Sequence, residues 1–254
     1  MPYTYAASGL SDIGRVRENN EDVWAEIEEL NFFILADGMG GHQAGEVASR
    51  ETVSHMLRLV RKAFKTTKKR SLSDTVKAIK QAIILVNSLV YKIGNSHESL
   101  RGMGTTLCLV LLHDEGAVLA HVGDSRIYRL RKGGLEQMTK DHSLFRELVD
   151  MGHLSEQLAP DFAYKNIITK AIGTEPKVEP TVFSVDIEVG DYYLLCTDGL
   201  SDLLSVKDIE TILQKDKSVD QMARALIMAA NERGGHDNIT VVLIKVDDYQ
   251  NLSR

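Results

Sequence analysis

TTLCLVLLHDEGAVLAHVGDSRIYRLRKGG, residues 105–134, holds three short apolar runs: TTLCLVLL at 105–112, AVLAHV at 117–122 and IYRLR at 127–131. Their length and their content of β-branched and aromatic residues mark them as strands. The breaks HDEG (113–116) and RKGG (131–134) are too short for a helix and carry glycine. Adjacent runs are therefore expected to turn back on one another as antiparallel hairpins. Outside this stretch, FFILA (32–36), YYLLCT (192–197) and ITVVLIKV (239–246) have the same character.

Helical spacing fills the intervals. Between Glu46 and Phe64, the residues Val53, Met56, Leu57, Val60 and Phe64 fall on one face. From Ser73 onward Val76, Ile79, Ile83, Val86, Val90 and Ile93 do the same, with Ser71 or Ser73 as N-cap. Further helices are expected near 206–214 and at 219–231, where Val219, Met222, Ala223, Leu226, Ile227 and Ala230 share a face. Locally paired strands with paired helices give an α+β class, antiparallel sheets with helices layered outside. Residues 143–180 differ: SLFRELVDMGHL reads as helix and the following stretch ends with two prolines, so a helical surface insert is expected.

The chain has 254 residues, 43% hydrophobic and 26% charged, which suits one large folded domain and excludes disordered and fibrous classes. Lys plus Arg number 30 against 36 Asp plus Glu, a net charge of −6 and the wrong sign for coating nucleic acid. Cys108 and Cys196 each lie inside an apolar run, as buried core thiols do. No run of about 18 apolar residues and no basic-then-apolar leader occurs, so a cytoplasmic protein without membrane attachment is expected.

Five motifs repeat one theme: NNED (19–22), LADGMGGH (35–42), HVGDSR (121–126), CTDG (196–199) and GGHDN (234–238). Asp37, Asp124 and Asp198 come at or just past the close of an apolar run, whereas Asp237 precedes one. Antiparallel neighbours would bring Asp37, Asp198 and Asp237 to one edge of a sheet. Carboxylates held that close repel unless protons or cations neutralise them. A donor set of oxygens alone favours Mg²⁺ or Mn²⁺ over zinc or copper. Gly38, lacking a Cβ, would let a backbone carbonyl approach such an ion. Competing motifs fail on spacing: Gln43 stands where G-x-G-x-x-G needs its third glycine, and neither a P-loop nor H-E-x-x-H is present.

In this order, SDIGRVRENNED (11–22), ILADGMGGHQAG (34–45), GMGTT (102–106), HVGDSRIY (121–128), LLCTDGLSDLL (194–204) and GGHDNITVV (234–242) resemble the metal-dependent protein phosphatases, the type 2C family, and particularly its compact bacterial serine/threonine members. The resemblance covers nearly the whole chain. It implies a single phosphatase domain over 1–254, a four-layer α-β-β-α sandwich, with residues 143–180 as its flap. It further implies two Mn²⁺ or Mg²⁺ ions bridged by Asp37, with the Gly38 carbonyl on one and Asp198 and Asp237 on the other. Asp124, with Asp198, would take a third ion. Asp22 would hold metal-bound water, assisted by Glu21. Arg17 would grip the phosphate, and His42, three positions beyond Met39 as in bacterial members, is the candidate proton donor. Hydrolysis would then proceed by a metal-bridged hydroxide, and the partners implied are phosphorylated proteins, including a serine/threonine kinase, met by a monomer. A pseudophosphatase that only binds phosphoproteins is the alternative; the full set of aspartates argues against it.

Overall fold

A computed structural model describes residues 3–40, 44–65, 70–155, 164 and 167–249. In chain order the strands are β1 (Tyr3–Asp12), β2 (Asp22–Ile27), β3 (Phe32–Met39), β4 (Gly104–Thr105), β5 (Leu107–His113), β6 (Gly116–Val122), β7 (Arg126–Arg131), β8 (Gly134–Gln137), β9 (Thr181–Val185), β10 (Tyr192–Cys196) and β11 (Ile239–Tyr249). The helices are α1 (Ala44–Lys65), α2 (Leu72–Ser96), α3 (Leu144–Asp150), α4 (Asp198–Ser201), α5 (Val206–Leu213) and α6 (Val219–Glu232). One antiparallel sheet has the order β1-β11-β10-β7-β8; the other is β2-β3-β5-β6-β9, with β4 added alongside β3.

Period-two alternation divides the apolar side chains among three layers of core. On β3, Phe32, Ile34 and Ala36 pack against α1 and α2 through Val53, Met56, Ile83 and Val86. Phe33 and Leu35 point the other way, into the space between the sheets, where they meet Tyr193, Leu195, Val242 and Ile244. Leu194 and Leu243 on the far face of the second sheet pack beneath α5 and α6. The strands are thus buried on both faces, which is why their sequences are continuous apolar runs. Cys108 lies between the sheets and Cys196 on the helix side, both as free buried thiols. The four-layer α-β-β-α arrangement is the one the resemblance implied.

Two hairpins follow the sequence reading. β5 pairs with β6 across HDEG, and β7 pairs with β8 through Lys132 (φ 51°) and Gly133 (φ 83°), the two left-handed residues of a tight hairpin turn. The run 127–131 does not pair back onto 117–122: β7 belongs to the other sheet, beside β10. Gly123 (φ 99°) makes the change of direction, and a side chain there would collide with Thr106. Five strands lacked a sequence signal, the two-residue β4 among them. In β1, Ala, Ser and Gly replace large apolar residues; the Trp24 ring lies within 2.5 Å of where a Gly9 Cβ would be. β2, β8 and β9 are short and only partly buried.

Helix starts match the capping chemistry. Ser71 accepts the Asp74 amide at α2, and Ser205/Asp208 and Ser218/Gln221 form capping boxes on α5 and α6. Among the described residues of the insert, α3 ends at Asp150, and residues 151–155 and 167–180 hold no further helix. Its base is fixed by bridges Ser143 to Ile168 and Thr105 to Ile172. Among the described residues no helix is long and apolar enough to cross a membrane.

Candidate metal centre

Alternation carries the acidic residues to one end of the inter-sheet space. Asp37 continues the series Phe33, Leu35 on β3, and Asp22 stands directly opposite it at the start of β2. From the facing sheet, Thr197 follows Leu195 and Thr240 precedes Val242 on the same face. Their hydroxyls both donate to Asp22 Oδ2, at 3.0 and 2.7 Å. The expectation of convergence on one sheet edge is therefore corrected. Asp22 and Asp37 come from one sheet, Asp198 and Asp237 from the end of β10 and the approach to β11 in the other, and the cluster lies between them.

Backbone contacts lock this end. The Asp37 amide donates to Thr106 Oγ1 at 3.0 Å, and its carbonyl accepts the Thr105 hydroxyl at 2.7 Å. Thr106 Oγ1 also meets Ser125 Oγ at 2.7 Å, which joins the Asp37 strand to the Asp124 turn. Asn238 ties the 13–21 loop to β11, donating to the carbonyls of Ile13 and Asn19 and accepting the Glu21 amide at 2.8 Å. The sequence reading passed over Asn238, Thr197, Thr240 and Thr106. The only clue was their place beside the Asp motifs.

Burial, reinforced by mutual repulsion, holds four carboxyls above their ordinary range. Asp22 and Asp124 are each pushed up to about 7 and Asp198 to about 6, in every case by burial first and neighbouring aspartates after it. For Asp22 the two threonine hydroxyls oppose the rise without cancelling it. Asp37 is raised well above the usual carboxylate range, by burial first and then by Asp22, Asp198, Asp124 and Asp237 together. The local cations are committed at the margins. Arg17, its side chain 55% exposed, donates to Asp237 Oδ2 at 2.6 Å, and Arg126 holds Asp141 bidentately, Oδ2 at 2.7 Å and Oδ1 at 3.1 Å. Glu21 is also raised, by burial, with Arg17 lowering it.

The donor set fits hard divalent cations. Asp22 Oδ1 is buried and has no hydrogen-bond partner, a lone pair that burial makes costly unless a water or cation meets it. Among the described residues no three His, Cys, Asp or Glu side chains already surround one point. Ions here would draw on two or so carboxylates each and complete their shells with carbonyl and water, as Mg²⁺ and Mn²⁺ do readily. Packing gives Gly38 a further reason to be glycine: a Cβ there would strike the Gly45 carbonyl at the start of α1 and the Glu21 carbonyl oxygen. The missing side chain lets β3 and α1 pack. Asp124 takes a hydrogen bond from its own backbone amide. His42 lies outside the described residues, as does most of APDFAYKN in the insert. His121 is a core histidine, 1% exposed and stacked on His142 at 4.4 Å.

Known proteins share both sequence and fold with this chain. The family model described as protein phosphatase 2C matches residues 14–243. A "Serine/threonine phosphatase stp" of Listeria monocytogenes is 39% identical over 93% of this chain and 94% of its own. The solved S. agalactiae serine/threonine phosphatase superposes with a TM-score of 0.88 at 40% identity, over 96% of this chain and 100% of the other. The catalytic domain of the phosphatase PstP, solved in complex with two manganese ions, gives 0.84 at 37% identity over 96% and 99%. With the family matched over most of its length and the acidic cluster in place between the two sheets, the chain belongs to the protein phosphatase 2C family and is a protein phosphatase.

Proposed function

We propose that this protein phosphatase removes phosphate from phosphoserine and phosphothreonine in proteins, a Ser/Thr kinase among them, using two Mn²⁺ or Mg²⁺ ions and a weaker third. The observation that carries the reading is the four buried carboxyls gathered between the sheets, with one bare oxygen on Asp22. Asp37 and the Gly38 carbonyl would hold one ion, Asp37 with Asp198 and Asp237 the other, and Asp124 with Asp198 the third. Bound there, divalent ions lower the pKa of a water toward neutrality and polarise phosphoryl oxygens.

The residues of the chain supply the rest. Asp22, kept in orientation by Thr197 and Thr240, would offer its bare Oδ1 to a water held at the ions. Arg17, at the rim, exchanges Asp237 for two phosphate oxygens and offsets charge as the in-line displacement develops. A Ser or Thr alkoxide leaves poorly, so His42 is proposed to protonate it. No cysteine takes part, because both thiols are buried in core and pushed above their usual range by burial. An exhaustively chelated sample should not hydrolyse an aryl phosphate or a phosphothreonine peptide, and added Mn²⁺ should restore both. Full turnover without metal would overturn the reading.

A further inference from the structure

Beside the bridge from Thr105 to Ile172, a residue outside the catalytic set ties the insert to the metal centre. His142, just before α3, makes its backbone contacts in two directions: its amide donates to the Gly123 carbonyl at 3.0 Å, and its carbonyl accepts the Thr169 amide at 2.8 Å. Its ring does the same. Nδ1 accepts the Gly123 amide at 3.2 Å, and Nε2 lies 3.1 Å from Thr181 Oγ1 at the start of β9. An acceptor at Nδ1 requires a neutral ring with its proton on Nε2. Burial first, then His121 and Lys170, holds it neutral by lowering its pKa to about 3. The His121 ring, stacked within 17° of parallel, closes the remaining face. The entry, the return and the exit of the 143–180 insert thus converge on His142.

The turn that His142 grips needs holding. Gly123 sits at φ 99°, open to either hand, and the next residue is Asp124. Ser125 Oγ anchors the far side of the turn on Thr106 Oγ1. On the near side both backbone groups of Gly123 go to His142. We propose that His142 is a positioning residue that sets the Asp124 carboxylate relative to the rest of the centre and couples it to the base of the insert. This rests on the reading of Asp124 as a ligand of the weakest ion.

Two substitutions divide the ring's contacts. Asparagine places Oδ1 where Nδ1 stands and keeps an acceptor for Gly123; glutamine reaches the Nε2 position and keeps only the bond to Thr181. Mn²⁺ calorimetry on the full chain, with hydrogen exchange over residues 121–126, reads the effect without turnover. His142→Asn should keep the weak binding phase within about threefold, whereas His142→Gln and His142→Ala should weaken it about tenfold or more, in the range for partners behind metal ligands. The tight phases should not move, and the Gly123 amide should exchange faster in the last two variants only. Equal losses in the Asn and Gln variants, or a weak phase unchanged in all three, would overturn the positioning role. Asp124→Asn is the control: if it removes the weak phase while the His142 variants retain it, only this inference fails. If Asp124→Asn leaves that phase intact, the reading of Asp124 itself fails.

Discussion

Asp22 and Asp208 are the same residue type, both near the end of a secondary-structure element and both bonded to a hydroxyl, yet they behave oppositely. Asp208 caps α5, takes the Ser205 amide at 2.9 Å and binds Arg233 through both carboxylate oxygens at 2.7 Å. Its carboxyl is held below the ordinary range, first by Arg233 and then by Ser205. Asp22, 7% exposed, has two threonine hydroxyls and no arginine, and it rises to about 7. At Asp22 two hydroxyl donors do not offset burial, whereas Asp208 lies nearer the surface, has little burial to offset and holds an arginine on both oxygens. A cluster of aspartates placed out of reach of Arg and Lys is therefore suited to ions from solution, whereas one beside arginine is already satisfied.

The sharpest break of that contrast is Asp198→Asn against Asp208→Asn. Positions behind a ligand cost about 10- to 100-fold when lost, so removing a ligand at Asp198 should cut Mn²⁺-supported turnover by more than about 100-fold. Asp208→Asn should leave kcat and KM where they are. If both lose turnover alike, the division between ion-seeking and ion-paired aspartates is wrong.

Thr240→Val tests whether the hydroxyls on Asp22 orient it. The substitution preserves shape and removes a 2.7 Å bond. A fall in kcat of about 10- to 100-fold is expected, with KM little changed. Wild-type kcat in Thr240→Val would leave Asp22 without a need for this support.

Arg17 lies between the two classes: it pairs with Asp237 in the exposed manner but borders the buried cluster. Arg17→Ala should raise KM for an aryl phosphate about tenfold, the lower end for a charge-assisted bond because the side chain is half exposed, with a smaller change in kcat. Steady-state kinetics on both parameters decide it.

The smallest effect is on stability. Carboxyls whose folded pKa is raised favour the fold fully below the unfolded value near 3.9 and lose that contribution as pH climbs through about 6 to 7. Chelated protein should therefore melt several degrees lower at pH 8 than at pH 5. Mn²⁺ binds the ionised forms, so it should raise the midpoint most at pH 8. A chelated midpoint that rises from pH 5 to pH 8 would contradict the assignment.

Much of this was legible in the chain. Both hairpin breaks, HDEG and RKGG, lie where they were read, because a short glycine-bearing break leaves few alternatives. The helices at 44–65, 72–96, 206–213 and 219–232 follow the 3.6-residue spacing closely. Strand β1 gave no apolar run, because Tyr3, Tyr5 and Ala7 face the core but are interrupted by Thr4, Ala6, Ser8 and Gly9, the last leaving room for Trp24. SLFRELVDMGHL has the helical period throughout, but α3 stops at Asp150.

The sequence by itself determined which residues carry charge, which apolar runs are strands, and that five Asp-bearing motifs recur, four of them beside such runs, since periodicity and residue chemistry are local properties. The tertiary structure alone decided that those motifs meet between two sheets rather than on one. Gly123 sends β7 to the opposite sheet, and no local pattern records which partner a strand will find. Tertiary structure likewise decided that Thr197 and Thr240 face Asp22 from 175 and 218 residues away in the chain, and that Gly38 is small so that α1 can pack on β3. Burial and long-range register are sums over the whole fold, so the pKa of each aspartate, and with it the site's need for cations, exists only once the two sheets have closed.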